Sequence, residues 1–178
     1  MKKLFPEIPV LRGERIVLKA LTRKDAPALR ELTESENVYR CLPTFLFEKR
    51  YKDINTVIDR LYTECLDDSL ILGVFTDGEF CGLAELYGYR ENIAKISIGY
   101  RLLEAYWGRG LASETVRVLT DHLYSNTNIG IITASTMLEN AASARVLIKN
   151  GFELVAHASP EDWGYPEPTP SDKWIKEI

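Results

Sequence analysis

Between residues 93 and 126 an apolar segment, Ile93–Leu103, runs into Tyr106-Trp-Gly-Arg-Gly-Leu-Ala112, and from there into a helical pattern. Ala112, Val116, Leu119 and Leu123 recur at spacings of 4, 3 and 4, one apolar stripe of an amphipathic helix. Two glycines within three positions let the backbone turn tightly between strand and helix and bring its N–H groups close to a ligand. The start of the helix adds unpaired donors and a partial positive charge, and Arg109 adds a full one, so an anion such as a phosphate or pyrophosphate fits there. The glycines alone point rather to a strand-to-helix turn that binds nothing. No Gly-Lys-Ser/Thr follows, which excludes a Walker loop, and Ser113 stands where a dinucleotide fingerprint needs its third glycine.

The rest of the chain narrows the class. Its 178 residues are the length of one domain, on a usual size of roughly 100–200 residues. The charge balance of 22 Lys and Arg against 26 Asp and Glu gives −4, without a basic stripe, which argues against nucleic acid as a partner. The apolar start, Leu4-Phe5, is broken at once by Pro6 and Glu7, and no run approaches membrane-spanning length. Cys41, Cys65 and Cys81 are odd in number and widely spaced, as in a reduced cytoplasmic protein. With His122 and His157 the only histidines and no C-x-x-C, no metal site is expected.

Along the chain, Arg15–Leu21 reads as a first strand, and Thr22 with Asp25 as an approximate capping box before a short helix carrying Leu29 and Leu32. A second helix is expected from about Asp53. The aromatic segment between them, 38–51, reads either as a loop capping the core or as a pocket wall. Leu70–Thr76 and Glu79–Tyr87 form a hairpin through Asp77-Gly78. After the amphipathic helix come a strand over Ile129–Met137, a helix over Ala141–Asn150 stopped by Gly151, and a strand over Phe152–Ala158. A proline-rich loop over 159–172 and a last strand over Lys173–Ile178 follow.

The run Ile98-Gly-Tyr-Arg-Leu-Leu-Glu-Ala-Tyr-Trp-Gly-Arg-Gly-Leu-Ala-Ser-Glu114 resembles the acyl-CoA-binding motif of the GNAT superfamily of N-acetyltransferases. The run Glu139-Asn-Ala-Ala-Ser-Ala-Arg-Val-Leu-Ile-Lys-Asn-Gly-Phe152 is similar to that family's next motif, an Asn-x-x-Ser helix leading to Gly-Phe. Leu11-Arg-Gly-Glu-Arg-Ile-Val-Leu-Lys19 and Asp25-Ala resemble the branch containing the ribosomal-protein N-terminal (alanine/serine) acetyltransferases. Trp107 stands where the general pattern has Gln or Arg, and an aromatic there is normal for that branch. The resemblance spans nearly the whole chain, in order and spacing.

It implies a mixed α/β (α+β) fold over 1–178, a mostly antiparallel sheet of about 6–7 strands with a splayed pair and about 4 helices, binding acetyl-CoA as co-substrate. The backbone N–H groups of Leu102 and Leu103 would bond the pantetheine arm, one of them serving as oxyanion donor. The amides of Gly108, Arg109, Gly110, Leu111, Ala112 and Ser113 would hold the pyrophosphate. Asn140 matches a pantetheine contact and is also a good helix N-cap; Ser143 matches a proton donor to the departing sulfur and is also a plausible packing residue. For the base that deprotonates an incoming ammonium, Glu85 is the choice, since Glu104 and Glu114 lie toward the pyrophosphate end. Tyr100 lines the pocket or belongs to the core.

The resemblance also implies transfer of the acetyl group by direct attack of a primary amine, a peptide N-terminus or a small molecule such as a polyamine. Glu161, Asp162, Glu167 and Asp172 with Trp163 and Tyr165 would suit a cationic amine, while Arg40, Lys49 and Arg50 pull the other way. Relatives in the branch are often dimers, so a homodimer is compatible with the sequence. The alternative reading is a non-catalytic acyl-CoA-binding regulatory module that kept the cofactor loop and lost the chemistry.

Overall fold

The structure is a computed structural model that describes residue 5 and residues 7–42, 51–64 and 69–177. Eight strands form one sheet in the order β1-β2-β3-β4-β5-β6-β8-β7. The first half is an antiparallel meander: β1 (Leu11–Arg12), β2 (Ile16–Lys19), β3 (Leu70–Thr76), β4 (Glu79–Arg90) and β5 (Lys95–Leu102). Asp77 and Gly78 both take positive φ, 52° and 85°, which matches the right-handed twist of the strands they join as β3 and β4. The second half is β6 (Ile131–Met137), β7 (Glu153–Glu161) and β8 (Thr169–Glu177). These are antiparallel among themselves, and β6 joins the first half parallel to β5.

Five α-helices lie among the described residues: α1 (Ala26–Glu34), α2 (Glu36–Tyr39), α3 (Ile54–Glu64), α4 (Leu111–Asn126) and α5 (Ala141–Lys149). The capping box foreseen at Thr22 and Asp25 is present, with the Thr22 N–H donating to Asp25 Oδ2 at 2.7 Å, and it opens a 3₁₀ turn that leads into α1. Alternation along the strands sorts the core into two layers. Leu72, Leu86, Ile96 and Ile132 pack toward Leu119 of α4 and Leu147 of α5. Ile71, Phe75, Leu83 and Leu103 pack toward Leu29 and Leu32 of α1 and Ile58 of α3.

The fold differs from the sequence expectation in three places. The two-residue β1 is an extra strand, too short to carry an alternation signal. The single turn α2 sits inside the aromatic segment, whose residues 43–50 lie outside the described residues. Half of the proline-rich stretch is strand: Pro160 pairs with Pro170 and Glu161 with Thr169, leaving 162–168 as a loop. Pro160 is tolerated because β7 is an edge strand, and Pro170 because it lies beyond Ser171, where the β6–β8 ladder ends.

Beneath the site, β4 and β5 approach too closely for any side chain at Gly82, where a Cβ would stand 2.2 Å from the Arg101 carbonyl oxygen. Gly82→Ala is therefore expected to cost about 1–3 kcal/mol in urea unfolding, the usual range for overpacking. A loss below about 0.5 kcal/mol, ordinary for a surface change, would mean the two strands part freely.

Candidate active site

The pairing of β5 with β6 covers only Lys95–Ser97 against Ile131–Thr133. Beyond that rung each strand keeps its outer neighbour: β5 stays paired with β4 up to Leu102, and β6 with β8 up to Met137. The two strands diverge, and their facing edges are unpaired. A hydroxyl pair, Ser97 Oγ to Thr133 Oγ1 at 2.8 Å, closes the vertex.

Which amides face the gap follows from the alternation of an antiparallel ladder. The Leu103 N–H donates to the Cys81 carbonyl at 2.9 Å, so odd positions of β5 bond to β4. Even positions face β6, as the bonds from Gly130 and Ile131 to the Ala94 carbonyl show. The amides of Tyr100 and Leu102 thus point into the gap. This corrects the expectation for Leu103: its N–H is taken by Cys81, its carbonyl accepts from the Tyr106 N–H, and its side chain is buried under α1 and α3. The Leu102 carbonyl accepts from Trp107 Nε1 at 2.8 Å, which ties the strand end to the glycine loop. That is a role for Trp107 the sequence does not reveal.

The loop turns through Gly108 and Gly110, at φ 72° and 79°, into α4. Gly110 is the N-cap, its carbonyl accepting the first helical bond from the Glu114 N–H at 3.1 Å. The amides of Leu111, Ala112 and Ser113 are accordingly the donors a helix leaves unsatisfied at its start. Asn150, after α5, donates to the Ser113 carbonyl and hydroxyl at 3.2 and 3.1 Å, which anchors this turn to α5. The Arg109 guanidinium lies 5.3 Å from the Tyr106 ring centroid. The donor set, amides of a helix start beside an arginine, fits a pyrophosphate, and the gap with its inward amides fits an extended amide-bearing arm.

The two faces of the gap differ in chemistry. On the α4–α5 face, Asn140 Oδ1 accepts from the Ser143 N–H at 3.1 Å and caps α5, which leaves the Asn140 amide hydrogens for a ligand. Ser143 Oγ is hydrogen-bonded to Tyr100 Oη at 2.8 Å. Burial pushes the Tyr100 hydroxyl up to about 12, partly offset by that bond, so it stays protonated.

On the α1–α3 face, Glu85 is buried and paired with the equally buried Arg101 at 2.6 Å, and Arg101 Nη1 also donates to Tyr39 Oη of α2. Across the gap, Glu161 is paired with Lys173 and accepts from Ser171 Oγ at 2.7 Å and Ser135 Oγ at 3.3 Å. Tyr87 stands between the two sets: burial first, then the Glu85 and Glu161 charges, push its hydroxyl well up. The carboxylates expected nearer the pyrophosphate end are both committed. Glu104 accepts from Ser35 and Asn37 of the α2 turn, each at 2.9 Å. Glu114 is bonded by Arg15 through its backbone N–H at 2.8 Å and its Nε at 2.9 Å. Burial pushes the Glu114 carboxyl up, but those Arg15 contacts outweigh it and hold it below the usual carboxylate range. Among the described residues, no group of three or more His, Cys, Asp or Glu could hold a metal ion. No helix among them is long and apolar enough to cross a membrane.

Residues 15–153 match the acetyltransferase (GNAT) domain family. An uncharacterized N-acetyltransferase of Bacillus subtilis, YoaA, is 24% identical over 147 residues, covering 82% of this chain and 83% of that protein. Among solved structures, RimL, the ribosomal L7/L12 alpha-N-protein acetyltransferase in complex with coenzyme A, superposes with a TM-score of 0.80 at 16% identity, over 96% of this chain and 98% of that one. Spermidine N-acetyltransferase from Vibrio cholerae, with CoA and spermine, superposes with a TM-score of 0.75 at 17% identity, over 93% and 96%.

The Glu114 contact sets a pH signature. A carboxyl whose folded pKa is depressed contributes stability above its unfolded value and loses it as pH falls through the folded one. The melting-temperature advantage of the wild type over Glu114→Gln is therefore expected to hold at pH 6–7 and to shrink below about pH 4. An advantage that stays constant down to pH 3 would show that the Arg15 contacts do not favour the charged form.

Proposed function

Because this chain belongs to the GNAT family of acetyltransferases and is an acetyl-CoA-dependent enzyme of that kind, we propose that it acetylates a singly charged primary amine by direct attack, without a covalent enzyme intermediate. The carrying observation is the unpaired stretch of β5 beyond Ser97, opening beside the glycine loop. Acetyl-CoA supplies an activated acetyl thioester there. The amides at Gly110–Ser113 would hold its pyrophosphate, those of Tyr100 and Leu102 its pantetheine arm, and the Asn140 amide would add a contact. One gap-facing amide near the vertex would donate to the acyl oxygen, a preorganised dipole in place of water.

The two faces divide the proton work. Ser143 Oγ, held by Tyr100, would give a proton to the departing sulfur. The amine arrives from the α1–α3 face. Glu85, expected from the sequence to accept its proton, serves better as a positioning group, since it is buried and committed to Arg101 at 2.6 Å. Glu161 is ion-paired as well, with Lys173, but with 31% of its side chain exposed it keeps contact with water and would be the carboxylate that passes a proton outward.

Charge balance supports a monoamine. Glu85 and Glu161 are each neutralised by a cation of the chain's own, Arg101 and Lys173, so neither is offered to the second and third charges of a polyamine. An α-amine at a peptide N-terminus and a small monoamine both meet that requirement. Thiol release from acetyl-CoA is expected with one of these and to exceed that with spermidine by about tenfold or more in kcat/KM, a difference worth about 1.4 kcal/mol. Preference for spermidine would overturn the monoamine reading. Ser143→Ala is expected to lower kcat by about 10²-fold or more, the lower range for a proton donor, while leaving CoA affinity within about threefold. Equal losses in both would make Ser143 a binding residue.

A further inference from the structure

We infer that Arg15 is a positioning residue for acetyl-CoA: it sets the glycine loop so that the Gly110 amide faces the pyrophosphate, and it cancels the buried Glu114 charge beneath that site. The inference rests on the pyrophosphate reading of the loop. Arg15 lies just before β2, 94 residues from the loop, yet its Nη1 donates to the Arg109 carbonyl at 2.8 Å. A trans peptide points its C=O and its N–H in opposite directions. Holding the Arg109 oxygen toward β2 therefore turns the Gly110 N–H away from it, to the side of the free amides of α4. The guanidinium lies against the turn itself, with Nη2 3.3 Å from where a side chain on Gly110 would begin.

The same side chain solves a second problem. Glu114 sits in the first turn of α4 with only 4% of its side chain exposed, and unpaired it would repel a pyrophosphate held one turn away. Arg15 Nε and the Arg15 amide take up both of its oxygens. The adjoining Gly13 makes this approach possible, because a Cβ there would stand 2.5 Å from Glu114 Oε1. The fork geometry matters: one guanidinium bonds the carboxylate and the loop carbonyl together, which a single ammonium on a flexible stem does not reproduce.

The test compares the full-length protein with Arg15→Met/Glu114→Gln and with Arg15→Lys. The double variant removes both charges, so no buried ion is left alone, and the carboxamide that replaces the Glu114 carboxylate can still accept from the backbone amide at position 15. Calorimetric affinities are measured for CoA and for pantetheine, which lacks the pyrophosphate. The wild type is expected to favour CoA by at least about tenfold; a ratio near one would sink the loop reading, and this inference with it. If the loop reading stands, the CoA-to-pantetheine ratio should fall about tenfold in the double variant, with pantetheine affinity within about threefold, and Arg15→Lys should recover less than half of the loss on a logarithmic scale. A ratio unchanged in the double variant, equal losses for both ligands, or full recovery with lysine would each overturn the role of Arg15 while leaving the loop reading intact.

Discussion

An unpaired strand edge inside a sheet leaves backbone donors and acceptors without partners, and in this chain the site is built around one. The parallel ladder of β5 and β6 stops at Ser97 and Thr133 although both strands run on for four or five residues. The divergence is tolerable because each strand satisfies its other edge, β5 on β4 and β6 on β8. What remains is a wedge with backbone donors and acceptors on its walls. A ligand that runs as an extended chain of amides is the natural filler, since it answers the edges as a strand would. Trp107 closes part of the far end by donating to the Leu102 carbonyl, so the gap has a defined depth as well as a vertex.

The wedge also explains why the polar groups of the two faces are kept apart. Side chains alternate across a strand, so Tyr100 emerges toward α5 while Arg101 emerges toward α2. The first meets a hydroxyl that can donate a proton; the second meets the carboxylate of Glu85. A hydroxyl pair and a buried ion pair are thereby set on opposite sides of the same strand, one residue apart.

Local chemistry is legible in the sequence, and distant pairing is not. The Asp77-Gly78 turn, the Thr22–Asp25 box, the α4 stripe and the Gly151 stop are all written within a few residues, and each stands where expected. The splay itself is legible only through resemblance, because no composition or periodicity marks where a ladder ends. Leu103 misleads because the orientation of an amide depends on which partner strand takes the odd positions, a fact held by Cys81. Glu85 looks available in the sequence because Arg101 is 16 residues away on another strand. The proline-rich stretch reads as a loop because its strand prolines sit on an edge strand or past the end of a ladder, where they break no shared pairing and leave no mark of it.

Carboxylates near an anion site look like errors until their partners are counted. Glu114 and Glu104 flank the glycine loop, and each is turned away from it by donors from distant segments: Arg15 before β2, and Ser35 and Asn37 at α2. Removing them would spare the anion some repulsion but would also release the loop from both of its neighbours. Paired, they do the reverse, their charge fixing the backbone that offers its amides. The segment that holds Gly13 and Arg15 therefore shapes the glycine loop as firmly as the glycines do, although it lies about a hundred residues earlier in the chain.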